Sequence, residues 1–153
     1  MSITIRKART EDETSCVKLL AELNEATGSN ETIDFGTVFQ SLLDESRGCI
    51  LVAEEEKEEE TREPATLLGM ASISFNLALR YGGEYCQLEE LIVSPAARGK
   101  NLGALLVEAT LATARKRGCA EYGLYLIPTT EKNRGFYEKF GFQALGTEMR
   151  QRL

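Results

Sequence analysis

The chain of 153 residues is 42% hydrophobic, 27% charged and 7% aromatic, the balance of one ordinary globular domain large enough to bury a core without disulfide or metal staples. Its 18 basic and 24 acidic residues leave a net charge of −6, so the basic footprint of a nucleic-acid binder is missing. No apolar run approaches the roughly 18 residues of a membrane span, and the absence of histidine excludes Ser-His-Asp and Cys-His nucleophile systems and HExxH zinc sites.

In chain order, the opening Met1-Ser-Ile-Thr-Ile-Arg-Lys7 has no basic-then-apolar leader, which predicts a cytoplasmic location. A strand is predicted over Ser2–Ile5. A helix follows, capped at Thr10 with Glu13 completing a capping box, and its apolar positions Val17, Leu19, Leu20 and Leu23 run to Asn24. Residues 25–32, with Gly28, Ser29 and Asn30, form a polar break. A second helix starts at Asp34, carries Val38, Phe39, Leu42 and Leu43, and closes at Arg47-Gly48 before a strand over Cys49–Ala53. The run Glu54–Glu63 then sets seven Glu against Lys57 and Arg62, so −5 of the net −6 lies in ten residues. It reads as a solvated hairpin loop; the alternative is a cluster that attracts a cationic partner at low salt.

Thr66–Leu79 is predicted as a long strand with Gly69 at a bulge. Tyr81-Gly82-Gly83 turns the chain into a strand over Tyr85–Val93, which stops at Ser94-Pro95. Leu102–Arg117 is the clearest helix: Leu102, Leu105, Leu106, Ala109 and Ala112 share a face, Lys116 and Arg117 suit its C-terminus, and Gly118 suits the left-handed stop. A strand over Tyr122–Ile127, a helix over Glu131–Phe140, a strand over Phe142–Leu145 and a last strand over Glu148–Arg152 complete the pattern. Cys16, Cys49, Cys86 and Cys119 stand far apart without a CxxC pair and read as reduced, partly buried thiols. This order of elements describes an α/β domain with a mixed sheet. Tyr85–Val93 is its central strand, joined through the long helix to Tyr122–Ile127 by a right-handed parallel crossover.

Three signals fall in or just after that crossover. Arg98-Gly-Lys-Asn-Leu-Gly-Ala104 stands between a strand and a helix, where unpaired N–H groups and small residues make an anion site. It is neither a Walker loop nor a GxGxxG fingerprint. Glu89 and Glu90 sit in an otherwise apolar strand beside Leu88, Leu91, Ile92 and Val93. Strand alternation sends them to opposite faces, and partial desolvation raises a carboxyl toward a useful general-base value. With no histidine, the base must be a carboxylate, Lys, Tyr, Cys or a water relay. In Asn133-Arg-Gly-Phe-Tyr-Glu-Lys-Phe-Gly-Phe142, Phe136 and Phe140 suit the core, while a buried phenol at Tyr137 can donate a proton.

Leu88 to Leu106, Phe136 to Phe142 and the opening Ile5-Arg-Lys-Ala-Arg-Thr-Glu-Asp12 resemble, in order, the motifs of the GNAT N-acetyltransferase superfamily. The resemblance implies a single domain over 1–153, with a mixed, mostly antiparallel sheet, a central splayed parallel strand pair and helices on both faces. It implies acetyl-CoA as cosubstrate and no metal. Backbone N–H groups of Arg98, Gly99, Lys100, Asn101, Leu102, Gly103 and Ala104 would hold the CoA pyrophosphate. The edge of Leu91, Ile92 and Val93 would bond the pantetheine arm, with the N–H near Ile92 polarising the thioester carbonyl. Tyr137 matches the tyrosine that protonates the departing thiolate, and Glu89 the carboxylate that deprotonates the acceptor amine, with Gln87 as an alternative holder of water. Asn133 and Phe136 fall where the second motif contacts CoA. Two departures stand out: Asn101 occupies the place of a loop glycine, a substitution that left-handed backbone tolerates, and Thr130 and Asn133 replace the usual start of the second motif.

An alkylamine with a pKa of about 10 must lose a proton before it attacks, after which direct attack needs only proximity and orientation. The expected activity is therefore acetyl transfer to a primary amine of a small molecule, cationic if the acidic run guides it. A non-catalytic acyl-CoA-binding domain and a protein lysine or N-terminal acetyltransferase are the alternatives. The expected partners are acetyl-CoA, a small amine and a second copy of the chain, with no nucleic acid or membrane. The acceptor wall is placed on the Asn24–Asp34 loop, Phe75, Asn76, Tyr81 and Tyr85.

Overall fold

Five strands form one sheet in the order of the chain: β1 (Ile3–Lys7), β2 (Gly48–Glu55), β3 (Thr66–Ala78), β4 (Gly83–Val93) and β5 (Tyr122–Gly123). This computed structural model describes residues 2–27, 34–56 and 65–153. The first three pairings are antiparallel and β4–β5 is parallel. β2 and most of β3 are buried on both sides, which is why their sequences run apolar without alternation. Ile50 and Val52 face helices α1 (Glu13–Thr27) and α2 (Phe35–Leu42), packing with Met70, Ile92, Cys16, Leu19 and Phe39. Cys49, Leu51 and Ala53 face the other way, joining Ala71, Ile73, Cys86 and Leu88 beneath Leu102, Leu106 and Ala114 of α3 (Leu102–Arg117). Helices thus cover both faces. Among the described residues no helix is long and apolar enough to cross a membrane.

Local chemistry explains most element ends. Asp34 caps α2, accepting from the Gly36 N–H and the Thr37 hydroxyl, each at 3.1 Å. Gly118 stops α3 at φ 84°, and Arg117 straps that end to the sheet. Its guanidinium stacks 3.9 Å from the Phe75 ring, pairs with Glu84, and donates to the carbonyls of Glu45 and Ser46 at 2.6 and 3.0 Å. Gly48 is required for closeness: a Cβ there would stand 2.4 Å from the Ile73 carbonyl oxygen. Leu68 is the extra residue of a bulge in β3 beside Gly69, as the glycine predicted. All four cysteines are free, and burial pushes the thiols of Cys16 and Cys86 up to about 12 and that of Cys49 to about 11.

Several expected boundaries differ. The chain enters α1 through a 3-10 turn, Thr10–Asp12. There Asp12, rather than the Thr10–Glu13 box, accepts the Arg9 N–H at 2.7 Å while gripping the Arg6 guanidinium at 2.7 and 3.0 Å. The ion pair with β1 gives Asp12 two jobs that Thr10 cannot do. The expected helix over 131–140 is a 3-10 turn, Glu131–Asn133, followed by α4 (Arg134–Glu138). β5 pairs only over Tyr122–Gly123, and residues 142–145 and 148–152 carry no strand. In that tail Leu145, Met149 and Leu153 are each more than 80% exposed. One large apolar residue in four gives too narrow a face to bury a strand alone. The parallel pair therefore stands at one end of the described sheet. Of the acidic run, residues 57–63 lie outside the described residues, as do residues 28–32 of the polar break and residues 28–33 of the expected acceptor-wall loop.

Candidate active site

The site begins where the sheet stops pairing. Cys86 and Gln87 of β4 are the last residues in register with β5, opposite Tyr122 and Gly123. Just before that point the Cys86 N–H donates to the Glu121 carbonyl at 2.8 Å and the Ala120 N–H to Glu84 at 2.9 Å. Tyr122 is pinned to α3 by a 2.8 Å hydrogen bond with the Thr110 hydroxyl. Beyond Gly123 the chain swings away, and Leu88–Val93 keeps an edge with no β5 partner. Beyond β5 lies a cleft of about 960 Å³, walled by residues 121–128, Tyr137 and residues 140–148.

At the end of β4 the backbone is folded into a cradle. The Ser94 N–H is held by the Leu68 carbonyl at 2.8 Å, and a 3-10 turn over Pro95–Ala97 follows. Gly99 (φ 85°) and Asn101 (φ 60°, ψ 23°) both take left-handed conformations. Asparagine is among the few non-glycine residues that reach this region cheaply, so Asn101 preserves the turn. The Asn101 carbonyl accepts the Leu105 N–H at 3.2 Å, which leaves the N–H groups of Leu102, Gly103 and Ala104 in the first helical turn without intrahelical acceptors. The positive end of the 16-residue α3 lies behind them. Val93, Ala97, Arg98, Gly99, Asn101, Leu102, Gly103, Ala104 and Phe136 line one groove of about 390 Å³. Gly103 keeps its floor open, since a Cβ there would already touch Phe136 at 3.6 Å.

Not every predicted residue joins that groove. Lys100 and Leu91 lie outside its lining. Ile92 points its side chain into the core beneath α1 and α2 and turns its backbone to Met70 of β3, so the N–H and C=O groups of Leu91 and Val93 are the ones that face the open edge. The Asn133 N–H is engaged by the Thr130 carbonyl at 2.9 Å, and its residue lines neither the groove nor the cleft. Tyr137 stands on the cleft wall, its ring against Phe136 and Phe142 at centroid distances of 5.0 and 6.0 Å. Burial pushes its phenol pKa up, which keeps the proton on the oxygen at neutral pH. Of the expected acceptor wall, Phe75 belongs to the core under Arg117, while Tyr81 and Tyr85 stack 5.5 Å apart.

The two carboxylates are not on opposite faces. Ser72 pairs with Glu90 and Ile73 with Leu88, so Glu89 is the extra residue of a bulge in β4. Leu88 and Leu91 both pack toward α3, and the two residues between them project together from the other side. Two serines of one β3 face record this: Ser72 donates to Glu90, and Ser74 donates to Glu89 Oε1 at 2.7 Å. Glu89 is exposed and Glu90 half-buried. Burial raises the Glu90 pKa, the Ser72 hydroxyl opposes it, and the Glu89 charge adds to the rise. These serines were missed as partners of the site, although their alternation with Ile73 and Phe75 was a usable signal.

A carboxyl that titrates higher in the folded chain than in the unfolded one binds protons preferentially in the fold, so its stabilising contribution is greatest at low pH and is lost as pH rises through the folded value. Glu90→Gln, which keeps an acceptor for Ser72, is therefore expected to raise the melting temperature at pH 7.5 by about 2 °C. At about pH 4, near the ordinary carboxyl value, calorimetry should find little difference between the variant and the parent.

A profile of the acetyltransferase (GNAT) family matches residues 15–142. The chain is 32% identical over 151 residues to a probable glucosamine 6-phosphate N-acetyltransferase 2 of Oryza sativa subsp. japonica, covering 97% of this chain and 86% of that protein. Its fold is similar to that of a glucosamine-6-phosphate N-acetyltransferase from Arabidopsis thaliana (TM-score 0.77, 24% identity, 99% of each chain). It is similar also to that of a predicted acetyltransferase from Clostridium acetobutylicum solved with acetyl-CoA (TM-score 0.77, 18% identity, 99% and 96% of the two chains). With parted strands, a left-handed turn into α3 and a tyrosine on the cleft wall, the chain belongs to the GNAT family of acetyltransferases and is an N-acetyltransferase.

Proposed function

We propose that this enzyme carries acetyl from acetyl-CoA directly to the primary amine of a small molecule, with glucosamine 6-phosphate, named for its relatives, as the first acceptor to test. The observation that carries this reading is the parting of β4 from β5 between two features: the cradle at the start of α3 and the carboxylates of the β4 bulge. The cradle suits a diphosphate because its donors are backbone N–H groups, its field is positive, and glycine at position 103 leaves the floor free of side chain. Arg98 to Ala104 would hold that diphosphate. The free edge offers the N–H and C=O groups of Leu91 and Val93 to an amide-bearing arm and to the thioester oxygen it carries.

Glu89 takes the proton of the acceptor ammonium. The freed amine attacks the thioester carbonyl, and Tyr137 returns a proton to the departing thiolate. No covalent enzyme intermediate is needed. Asn133 and Lys100 have no part in this scheme beyond their backbone.

The test is release of free thiol from acetyl-CoA across glucosamine 6-phosphate, other amino sugars, polyamines and lysine peptides. Thiol release with a small amine supports the reading. Binding of CoA without turnover on any amine would favour an acyl-CoA-binding domain, and preference for peptides a protein acetyltransferase. We also infer a homodimer, motivated by the exposed Leu145, Met149 and Leu153 of the tail. Light scattering should give twice the 16.9 kDa of one chain.

A further inference from the structure

Three polar residues of β3 stand opposite the bulge of β4. Ser72, Ser74 and Asn76 alternate with Ile73 and Phe75, which are committed to the α3-facing core, so all three share the face of Glu89 and Glu90. Asn76 Nδ2 donates to Ser74 Oγ at 3.0 Å, and Ser74 Oγ donates to Glu89 Oε1 at 2.7 Å. A hydroxyl has one proton and rotates to suit its surroundings. With Asn76 occupying a lone pair of the serine oxygen, the single proton is directed at the carboxylate. Glu89 needs such a tether: it is the residue inserted by the bulge, without a rung partner on β3, and its side chain is exposed.

We propose that Ser74, aimed by Asn76, is a positioning residue for acetyl transfer: it fixes Oε1 of Glu89 and leaves Oε2 turned to the acceptor amine. This rests on the reading of Glu89 as the proton acceptor. The ammonium N–H bond breaks and its proton passes to Oε2. The nitrogen lone pair then forms the C–N bond, the C–S bond breaks and the thiolate takes the Tyr137 proton; the second proton of the attacking nitrogen, shed as the amide forms, restores the phenol, and Glu89 passes its own proton to solvent. Ser74 keeps its own proton throughout. The other ionisable groups that interact with the Glu89 charge are Glu90 beside it, the buried thiol of Cys86 on the α3 side of the sheet, and Arg150 of the C-terminal segment. Arg150 is itself committed to Glu148 and lies over the Tyr125 ring at 5.4 Å. None of these three donates the hydrogen bond that Ser74 supplies.

The experiment is a double-mutant cycle on the full chain, read as kcat and as KM for acetyl-CoA, with Ser74→Ala, Glu89→Gln and the two combined. Removing a hydrogen bond to a charged group is expected to lower kcat about 10-fold, with KM for acetyl-CoA unchanged. The same change in the Glu89→Gln background should cost nothing further, and Ser74→Thr should restore most of the rate. If Ser74→Ala does not fold, Asn76→Ala replaces it in the cycle with a smaller expected loss of the same pattern. Equal losses in both backgrounds, or a loss that Thr does not rescue, would overturn the proposal while leaving the acetyl-transfer reading in place. A folded wild-type enzyme that releases no thiol with any amine would defeat both.

Discussion

Tyr137→Phe is expected to lower kcat by about 10²–10³-fold, the usual cost of losing a positioned proton donor, and to leave the affinity for coenzyme A nearly unchanged. The substitution removes one oxygen and keeps the ring, and the ring is what packs against Phe136 and Phe142. The phenol is buried enough for its pKa to be raised, so it holds its proton at neutral pH. A CoA thiolate leaving without that proton is a poorer leaving group and recaptures the acetyl group more readily. The diagnostic is therefore a loss in kcat with CoA binding, measured by calorimetry, preserved. Equal weakening of both would mean that Tyr137 shapes the donor site and gives no proton.

The second large effect falls on binding. Gly103→Leu should weaken coenzyme A by at least about 100-fold, the scale expected when a buried contact surface is replaced by a clash, while the fold survives. The added Cβ meets Phe136 at 3.6 Å and Val93 at 4.0 Å, ordinary contacts, so Gly103→Ala should bind within a few-fold of the parent. Leucine carries three more carbons. With Phe136 and Val93 already against the Cβ, those carbons occupy the groove where a diphosphate would lie. Position 103 is in the first turn of α3, where leucine is the better helix former by roughly 0.5–1 kcal/mol, so thermal melting should not fall. Calorimetric titration of the two variants with coenzyme A separates occupancy of the groove from damage to the helix.

How far this site was legible follows from the range of the forces that make it. The cradle is local. Asn101 and Gly118 suit left-handed backbone, and the apolar repeat of Leu102, Leu105, Leu106, Ala109 and Ala112 announces the helix between them, although Leu105 and Ala112 are exposed and Val107, Thr110 and Ala114 take the buried places. The bulge is not local. Nothing in Leu88-Glu-Glu-Leu91 marks an inserted residue, because the insertion is a property of register between β3 and β4. Plain alternation therefore sent Glu89 and Glu90 to opposite faces, when the fold sets them side by side. The tail fails for a related reason. Residues 142–145 and 148–152 read as short strands, but a strand needs a neighbour, and local sequence does not supply one. Arg6 likewise decided the entry to α1 from another element, drawing Asp12 into the capping position that Thr10 held on local grounds.

The sheet that stops bonding half way along β4 has a thermodynamic consequence. Its bare rim is finished by whatever molecule lies down against it, so a ligand with a peptide-like backbone behaves as a borrowed strand. Resistance to heat then becomes a function of how much of that ligand is dissolved around the protein, rising with the logarithm of its concentration.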